Sequence, residues 1–299
     1  MKRKILNIGI LAAIILAVCI TLSCDSTEDE PGSVEPVLHV YLCFGQSNMG
    51  GQAWNADGSY NYNGRVPDEY KKSIPDNFKV MASANFNPSG RTKGEWYKAE
   101  PPLCRTSNGL SPADYFGRYL AGRVKKGVTI GVIVLGVDGC KIEMFHKTDG
   151  AAYIAKPGLA SYEKEQAALY GNDPYGRMVE LAKKAMEEGE LKGILMHQGE
   201  SGADNGSWTA KVKQIYDDLH TDLELTEPLP FLAGQTVSIN NSTINTLPST
   251  LSNAHVISSS GCQAGSDNLH FSYEGYKTLG TRYGEKMFDL VYKGTNLAK

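Results

Sequence analysis

The chain has 299 residues, with 30 Lys and Arg against 33 Asp and Glu, 41% hydrophobic and 21% charged residues. This ordinary globular composition excludes collagen-like, coiled-coil and largely disordered chains. A net charge of -3 supplies no clustered basic surface for phosphate neutralisation, which argues against a nucleic-acid partner.

At the N-terminus, Lys2, Arg3 and Lys4 precede an apolar run from Ile5 to Leu22 that carries no charge. Residues 1–23 therefore have the pattern of an export signal. Without those three basic residues the remainder has 27 basic against 33 acidic residues, a net charge of -6. The run ends Ile20-Thr21-Leu22-Ser23-Cys24, which resembles a relaxed bacterial lipobox. That resemblance implies acylation of Cys24 and an exported lipoprotein at the outer membrane, on its periplasmic or cell-surface face, touching the membrane only through the anchor. A plain secretory signal and an uncleaved anchor are the alternatives, since the run is nearly long enough to span a bilayer. Residues 24–36 follow as a tether, and Asp25 to Ser33 is acidic and small, too polar to bury a core. The stretch resembles the acidic surface-export signals of some diderm lipoproteins; a mere spacer is the other reading.

A single domain is expected over 37–295. β-Branched runs mark strands at His39 to Phe44, Val128 to Leu135, Leu191 to His197, Phe231 to Gly234 and His255 to Ser258, with a weaker one at Lys79 to Ala82. Between them lie amphipathic stretches. One opens with Ser111 as N-cap and Pro112 at N1 and carries Phe116, Leu120 and Val124. Another carries Trp208, Val212, Ile215, Leu219 and Leu223, and the last Tyr276, Leu279, Tyr283, Met287 and Leu290. The alternation predicts an α/β fold with a mostly parallel sheet. Residues 52–109 and 146–174 exceed a minimal βα connection, as functional loops or insertions do.

In an open α/β sheet, ligands bind outside the carboxyl ends of the strands. Three expected strands lead there into glycine-bearing turns: Gly45-Gln46-Ser47-Asn48-Met49-Gly50-Gly51, Gly136-Val137-Asp138-Gly139-Cys140, and Gln198-Gly199-Glu200-Ser201-Gly202. Asp267-Asn268-Leu269-His270 stands before the last helix. A histidine that takes a proton needs a carboxylate on its other ring nitrogen, and a spacing of three lets one turn supply both. Ser47 is not in a GxSxG elbow, because Met49 holds the place of the second glycine. Neither HExxH, a CxxC pair nor a glycine-rich phosphate loop occurs, so neither metal nor cofactor is expected.

Together GQSNM, HQGES and DxLH resemble the motifs of the SGNH hydrolases, in their carbohydrate acetylesterase branch, which includes sialate O-acetylesterases and acetylxylan esterases. The resemblance covers about residues 38–290. It implies a three-layer, flavodoxin-like sandwich that needs no metal and an acetylated carbohydrate as substrate, either xylan-type or a host sialoglycan. Position by position it implies Ser47 as nucleophile, His270 as general base and Asp267 as its orienting carboxylate. The Ser47 and Gly139 amides and the Gln198 side chain would bind the oxyanion. Relatives often carry Gly-Gly-Thr in the second turn, where Asp138-Gly139-Cys140 stands here. Glu200 is expected to brace its loop, and Gln46 and Asn48 to hold the Ser47 turn.

Trp54 and Trp96, in the long segment after Ser47 with Tyr60, Tyr62 and Tyr97, either face the sugar or pack the loop onto the core. Ser201 with His197 is the rival nucleophile pair, and Cys140 is expected to be a buried thiol. Cys43, Cys104, Cys140 and Cys262 allow three full pairings, and export permits disulfides. A non-catalytic glycan-binding lipoprotein would need no Ser47, Asp267 and His270 together. A lipase or thioesterase would need an apolar acyl groove, against which the polar Tyr- and Asn-rich loops argue.

Overall fold

In the computed structural model the described residues are 34–55, 58–59, 66–86, 89–204 and 206–299. The signal run, Cys24, the tether as far as Ser33, Tyr60 and Tyr62 lie outside them. The elements follow as β1 (Val37–Gly45), α1 (Ser47–Gly50), α2 (Asp68–Lys71), β2 (Phe78–Met81), β3 (Trp96–Lys98), α3 (Pro112–Ala121) and β4 (Val128–Gly136). After a 3-10 turn at Ile142–Phe145 come α4 (Gly150–Ala155), α5 (Ser161–Leu169), α6 (Pro174–Met186), β5 (Glu190–His197), α7 (Trp208–Asp222) and β6 (Phe231–Gly234). The chain closes with α8 (Asn241–Ile244), α9 (Leu247–Thr250), β7 (Ala254–Ile257) and α10 (Tyr273–Val291).

Seven strands form one sheet in the order β3-β2-β4-β1-β5-β6-β7, with only the β2–β3 pair antiparallel. The five strands that are clearest in the sequence, β4-β1-β5-β6-β7, have the flavodoxin-like order 2-1-3-4-5. β2 and β3 extend the β4 edge and come from the long segment 52–109. β1 is therefore the switch point, with chain order running outward to β4 on one side and to β5 on the other. A crevice must open at its carboxyl end.

Residues of β1 alternate between two cores, as a central strand's must. Val40, Leu42 and Phe44 pack with Met178, Leu181, Val212 and Ile215 of α6 and α7. Tyr41 and Cys43 pack with Phe116, Leu120, Leu279 and Tyr283 of α3 and α10 on the other face. The result is the expected three-layer sandwich. α3 starts as expected, with Ser111 at the cap, Pro112 at N1, and Asp114 closing a capping box. α6 is not among the helices marked by apolar spacing above; Asp173 caps it by accepting from Gly176 N, and Pro174 stands at N1. Backbone hydrogen bonds also tie residues on either side of 37–295 to the fold. Val34 N donates to Lys126 O at 3.0 Å, and Lys299 N donates to Arg123 O at 2.9 Å. Cys43, Cys104, Cys140 and Cys262 are all free thiols.

Candidate active site

The turns after β1, β4 and β5 meet at the crevice. β1 ends at Gly45, and Ser47 opens the single-turn helix α1, whose cap is Gln46. Gln46 N donates to His197 O at 3.1 Å, so the Ser47 turn is pinned to the end of β5. A Cβ on Gly136 would come within 2.9 Å of Gly50 Cα, so the β4 turn lies directly against α1.

The 267–270 turn, 220 residues later in the chain, reaches the same point. Ser47 Oγ lies 2.7 Å from His270 Nε2, and His270 Nδ1 lies 2.6 Å from Asp267 Oδ2. Asp267 Oδ1 accepts from the backbone N–H of Leu269 and His270 at 3.0 and 2.9 Å. Partial burial pushes the Asp267 carboxyl up, but the donors from His270 and Leu269 outweigh it and hold it below the usual carboxylate range. It is thus an anion that can support an imidazolium. Ser47 is 5% exposed, enough for one face to meet substrate.

Asn48 ties this constellation together. Its Nδ2 donates to Glu200 Oε1 and to Leu269 O, while Oδ1 accepts from Phe271 N and from the Tyr276 hydroxyl, the latter at 2.7 Å. Gln46 Oε1 accepts from Ser201 N at 3.2 Å, joining the first and third turns. Glu200 is buried, and His197 Nε2 stands 3.4 Å from it. Burial raises the Glu200 carboxyl, but His197 and Asn48 outweigh that and lower it. Its contacts with Asn48 and His197 join the third turn to α1 and to the end of β5.

Gly139 has φ +68°, a left-handed conformation that favours glycine. The Ser47 and Gly139 amides make no hydrogen bond within the described residues. Gln198 is placed differently from a free donor. Its Nε2 stands 2.7 Å from Ser201 O, 3.2 Å from Cys140 O and 3.3 Å from Gln46 Oε1, three acceptors for two N–H bonds. Its Oε1 accepts from Trp208 Nε1. In this arrangement it is a brace between turns.

Trp54 is brought to the site and Trp96 is not. Trp54 is 7% exposed, donates Nε1 to Phe271 O, and its ring centroid lies 6.3 Å from that of His270. It forms one wall of a cleft of about 540 Å³ with Tyr70, Gln263, Ser266 and Tyr273. Trp96 lies on the edge strand β3, its ring against Gly131, and packs into the core. Ser201 and His197 share no hydrogen bond, and His197 is fully buried. Burial pushes the Cys140 thiol well above its usual range, where it is inert as a nucleophile. The sequence reading missed the partners Arg105, Gln166 and Tyr276. None stands in a motif, and only proximity in the fold reveals them. Among the described residues no cluster suits a metal.

A flavodoxin-like sheet with these three turns at its switch point is the arrangement of the SGNH-type hydrolases. The chain belongs to the carbohydrate esterase family described as sialic acid-specific acetylesterase, which it matches over residues 37–289, and it is a carboxylic ester hydrolase that removes acetyl groups. Among solved structures it is similar to a protein from Arabidopsis thaliana, at 19% identity and a TM-score of 0.59, covering 85% of this chain and 99% of that one. It is also similar to XAC1771, a carbohydrate acetylesterase from Xanthomonas citri, at 18% identity and a TM-score of 0.57, covering 86% of this chain and 57% of that one. With NanS the identity is 16% and the TM-score 0.56, over 86% of this chain and 98% of that one.

Proposed function

We propose that the protein is a serine esterase that removes O-acetyl groups from a xylan-type polysaccharide or oligosaccharide through an acetyl-enzyme on Ser47. The observation that carries this reading is the continuous chain of contacts from Ser47 Oγ through His270 to Asp267. A serine hydroxyl is a weak nucleophile until a base removes its proton, and His270 Nε2 is in hydrogen-bond reach. As Oγ bonds to the acetyl carbon, its proton passes to Nε2 and the carbonyl electrons move onto oxygen. The Ser47 and Gly139 amides receive that oxyanion, each donor worth roughly 3–4 kcal/mol. Gln198 serves as a third donor only by releasing one of its present acceptors. The imidazolium then protonates the departing sugar oxygen; water, giving a proton to His270, bonds to the acetyl carbon, and the carbon–Oγ bond breaks as Ser47 Oγ takes that proton back and acetate leaves.

The cleft walled by Trp54, Tyr70 and Tyr273, whose lining includes neither Ser47 nor His270, offers aromatic faces and polar edges suited to a sugar rather than to an acyl chain. The family's description favours a second reading, that the sugar is an O-acetylated sialic acid of a host glycan. Acetate release from p-nitrophenyl acetate, acetylated xylan and acetylated sialoglycan, with Ser47→Ala in parallel, tests both. Ser47-dependent release supports the esterase reading and the preferred glycan selects the substrate. A folded protein that releases no acetate from any of the three would leave glycan binding without turnover as the better account.

We also infer export as a lipoprotein acylated on Cys24, supported by the charged start, the apolar run and the lipobox-like ending. Labelled palmitate should enter the parent and not Cys24→Ala; equal labelling would exclude the anchor.

A further inference from the structure

Residues 146–174, too long for a plain βα connection, fold as α4 and α5 against the turn that follows β4. Tyr170 OH donates to Gly136 O at 3.2 Å. Gln166 holds Asp138 twice: its Nε2 donates to Asp138 Oδ2 at 2.9 Å, and its Oε1 accepts from Asp138 N at 2.7 Å. Tyr153 OH accepts from Lys141 N at 3.1 Å. The Tyr162 hydroxyl is so near Gly139 that a Cβ there would lie 2.6 Å away. One inserted segment therefore contacts residues 136, 138, 139 and 141 of the turn.

Arg105 closes the other side. Its guanidinium donates to Gly136 O, and its Nη2 donates to Asp138 Oδ1 at 2.9 Å. Its side chain is 4% exposed. Burial alone would weaken its charge, but the Asp138 carboxylate more than offsets this and keeps it charged.

The turn needs such support because its own backbone contributes little. Val137 N donates to Gly45 O at 3.1 Å and Cys140 N to Val137 O only at 3.5 Å, while the Gly139 amide has no acceptor within the described residues. A carboxylate one residue before an oxyanion donor also carries the wrong sign, because it opposes the negative charge that develops on the tetrahedral oxygen. Arg105 supplies the compensating charge, and Gln166 fixes the direction of the second carboxylate oxygen.

We propose that Arg105 and Gln166, acting through Asp138, are positioning residues for the Gly139 oxyanion donor, holding the turn in place and neutralising its carboxylate. The proposal rests on the serine-esterase reading of the site.

The test is an exchange of groups at 138 and 166, assayed with p-nitrophenyl acetate. Asp138→Asn turns an amide N–H toward Gln166 Nε2, two donors face to face, and Gln166→Glu sets two carboxylates against each other. Each should lower kcat by roughly 10- to 100-fold, the loss expected when a reacting group is misplaced by an ångström or less. KM should stay within about threefold, because the ground state makes no use of this donor. In the double variant the new amide at 138 donates to the new carboxylate at 166, which still accepts from the backbone N–H of 138. Its kcat should return to within about threefold of the parent. A merely structural role would not give this rescue.

Unchanged kcat in both folded single variants would overturn the proposal, as would a double variant no faster than Gln166→Glu. Should Asp138→Asn fail to fold, the comparison of Gln166→Glu with the double variant decides alone. Parent and Ser47→Ala are assayed beside them, so a wrong serine assignment shows in that pair and a wrong clamp shows only at 138 and 166.

Discussion

In the proposed mechanism Ser47 is activated only while His270 Nε2 stands ready for its proton and Asp267 holds the other ring nitrogen. Ser47→Ala and His270→Ala should each lower kcat on p-nitrophenyl acetate by roughly a thousandfold or more with little change in Tm, since neither side chain is part of either core. Asp267→Asn should cost roughly 100- to 10,000-fold, because an amide can no longer compensate the imidazolium. A Ser47→Ala protein with full activity would remove the nucleophile assignment, and Ser201 would then be examined in its place. The Asp267–His270 pair was legible as a candidate because one turn can supply both side chains, and Ser47 because it stands in a glycine-bearing turn after a strand; that Ser47 and His270 meet across 223 positions was not legible in any local spacing. Nor were the residues that hold them. Asn48 meets Tyr276 across 228 positions, and Arg105 meets Asp138 across 33, separations that leave no local pattern.

Elements matter here through how closely they approach. α1 is one turn long, too short to persist by its own hydrogen bonds, so Asn48 must anchor it to the 200 and 269–276 regions. Asn48→Ala should lower stability by at least about 2 kcal/mol, through the buried groups it leaves unpaired, and reduce kcat about tenfold or more. Thermal unfolding and turnover, measured on the same sample, check both. α10, which carries Tyr276, packs on α3 across Gly280, where an added Cβ would lie 2.3 Å from Pro112 O. Gly280→Val should therefore force the helices apart at a cost of ~1–3 kcal/mol, read as a lower urea midpoint. The strands were legible almost to their ends because β-branched runs in a parallel sheet are buried on both faces. β3 was not: Trp96–Lys98 has three residues, one exposed and none fully buried, and only its pairing with β2 makes it a strand. The reading of Trp96 as a sugar platform was open for the same reason, since nothing local distinguishes a ring over Gly131 from a ring over substrate.

At the scale of the whole molecule the mostly parallel sheet was implied by the βα alternation and its flavodoxin-like arrangement by the family resemblance, while the β3 edge and the α4–α5 layer came only from the fold, where inserted segments find surfaces that the sequence does not display. At the crevice, Glu200 links the turn after β5 to Asn48 of α1. Glu200 lies in a site where His197 and Asn48 hold its carboxyl below the ordinary value of 4.5 against the opposing effect of burial. A carboxyl depressed in the folded state binds fewer protons than in the unfolded state between the two pKa values, so its contribution to stability is present above the unfolded value and is lost as pH falls through the folded one. Glu200→Gln removes that titration with nearly the same shape. Carboxyls away from the crevice titrate alike in parent and variant, so the difference in unfolding free energy between them reports Glu200 and the His197 ring 3.4 Å from it. That difference, parent minus variant, should fall as pH drops below about 4.5. The sign of its slope does not depend on whether the variant is the more or the less stable protein at neutral pH, because replacing a buried ion can change the level in either direction. Urea unfolding at half-unit steps of pH measures it; a difference that stays flat through pH 4.5 would mean that the Glu200 carboxyl titrates alike in the folded and unfolded states, and one that rises as pH falls from 7 toward 4.5 would mean that it is protonated in the native crevice.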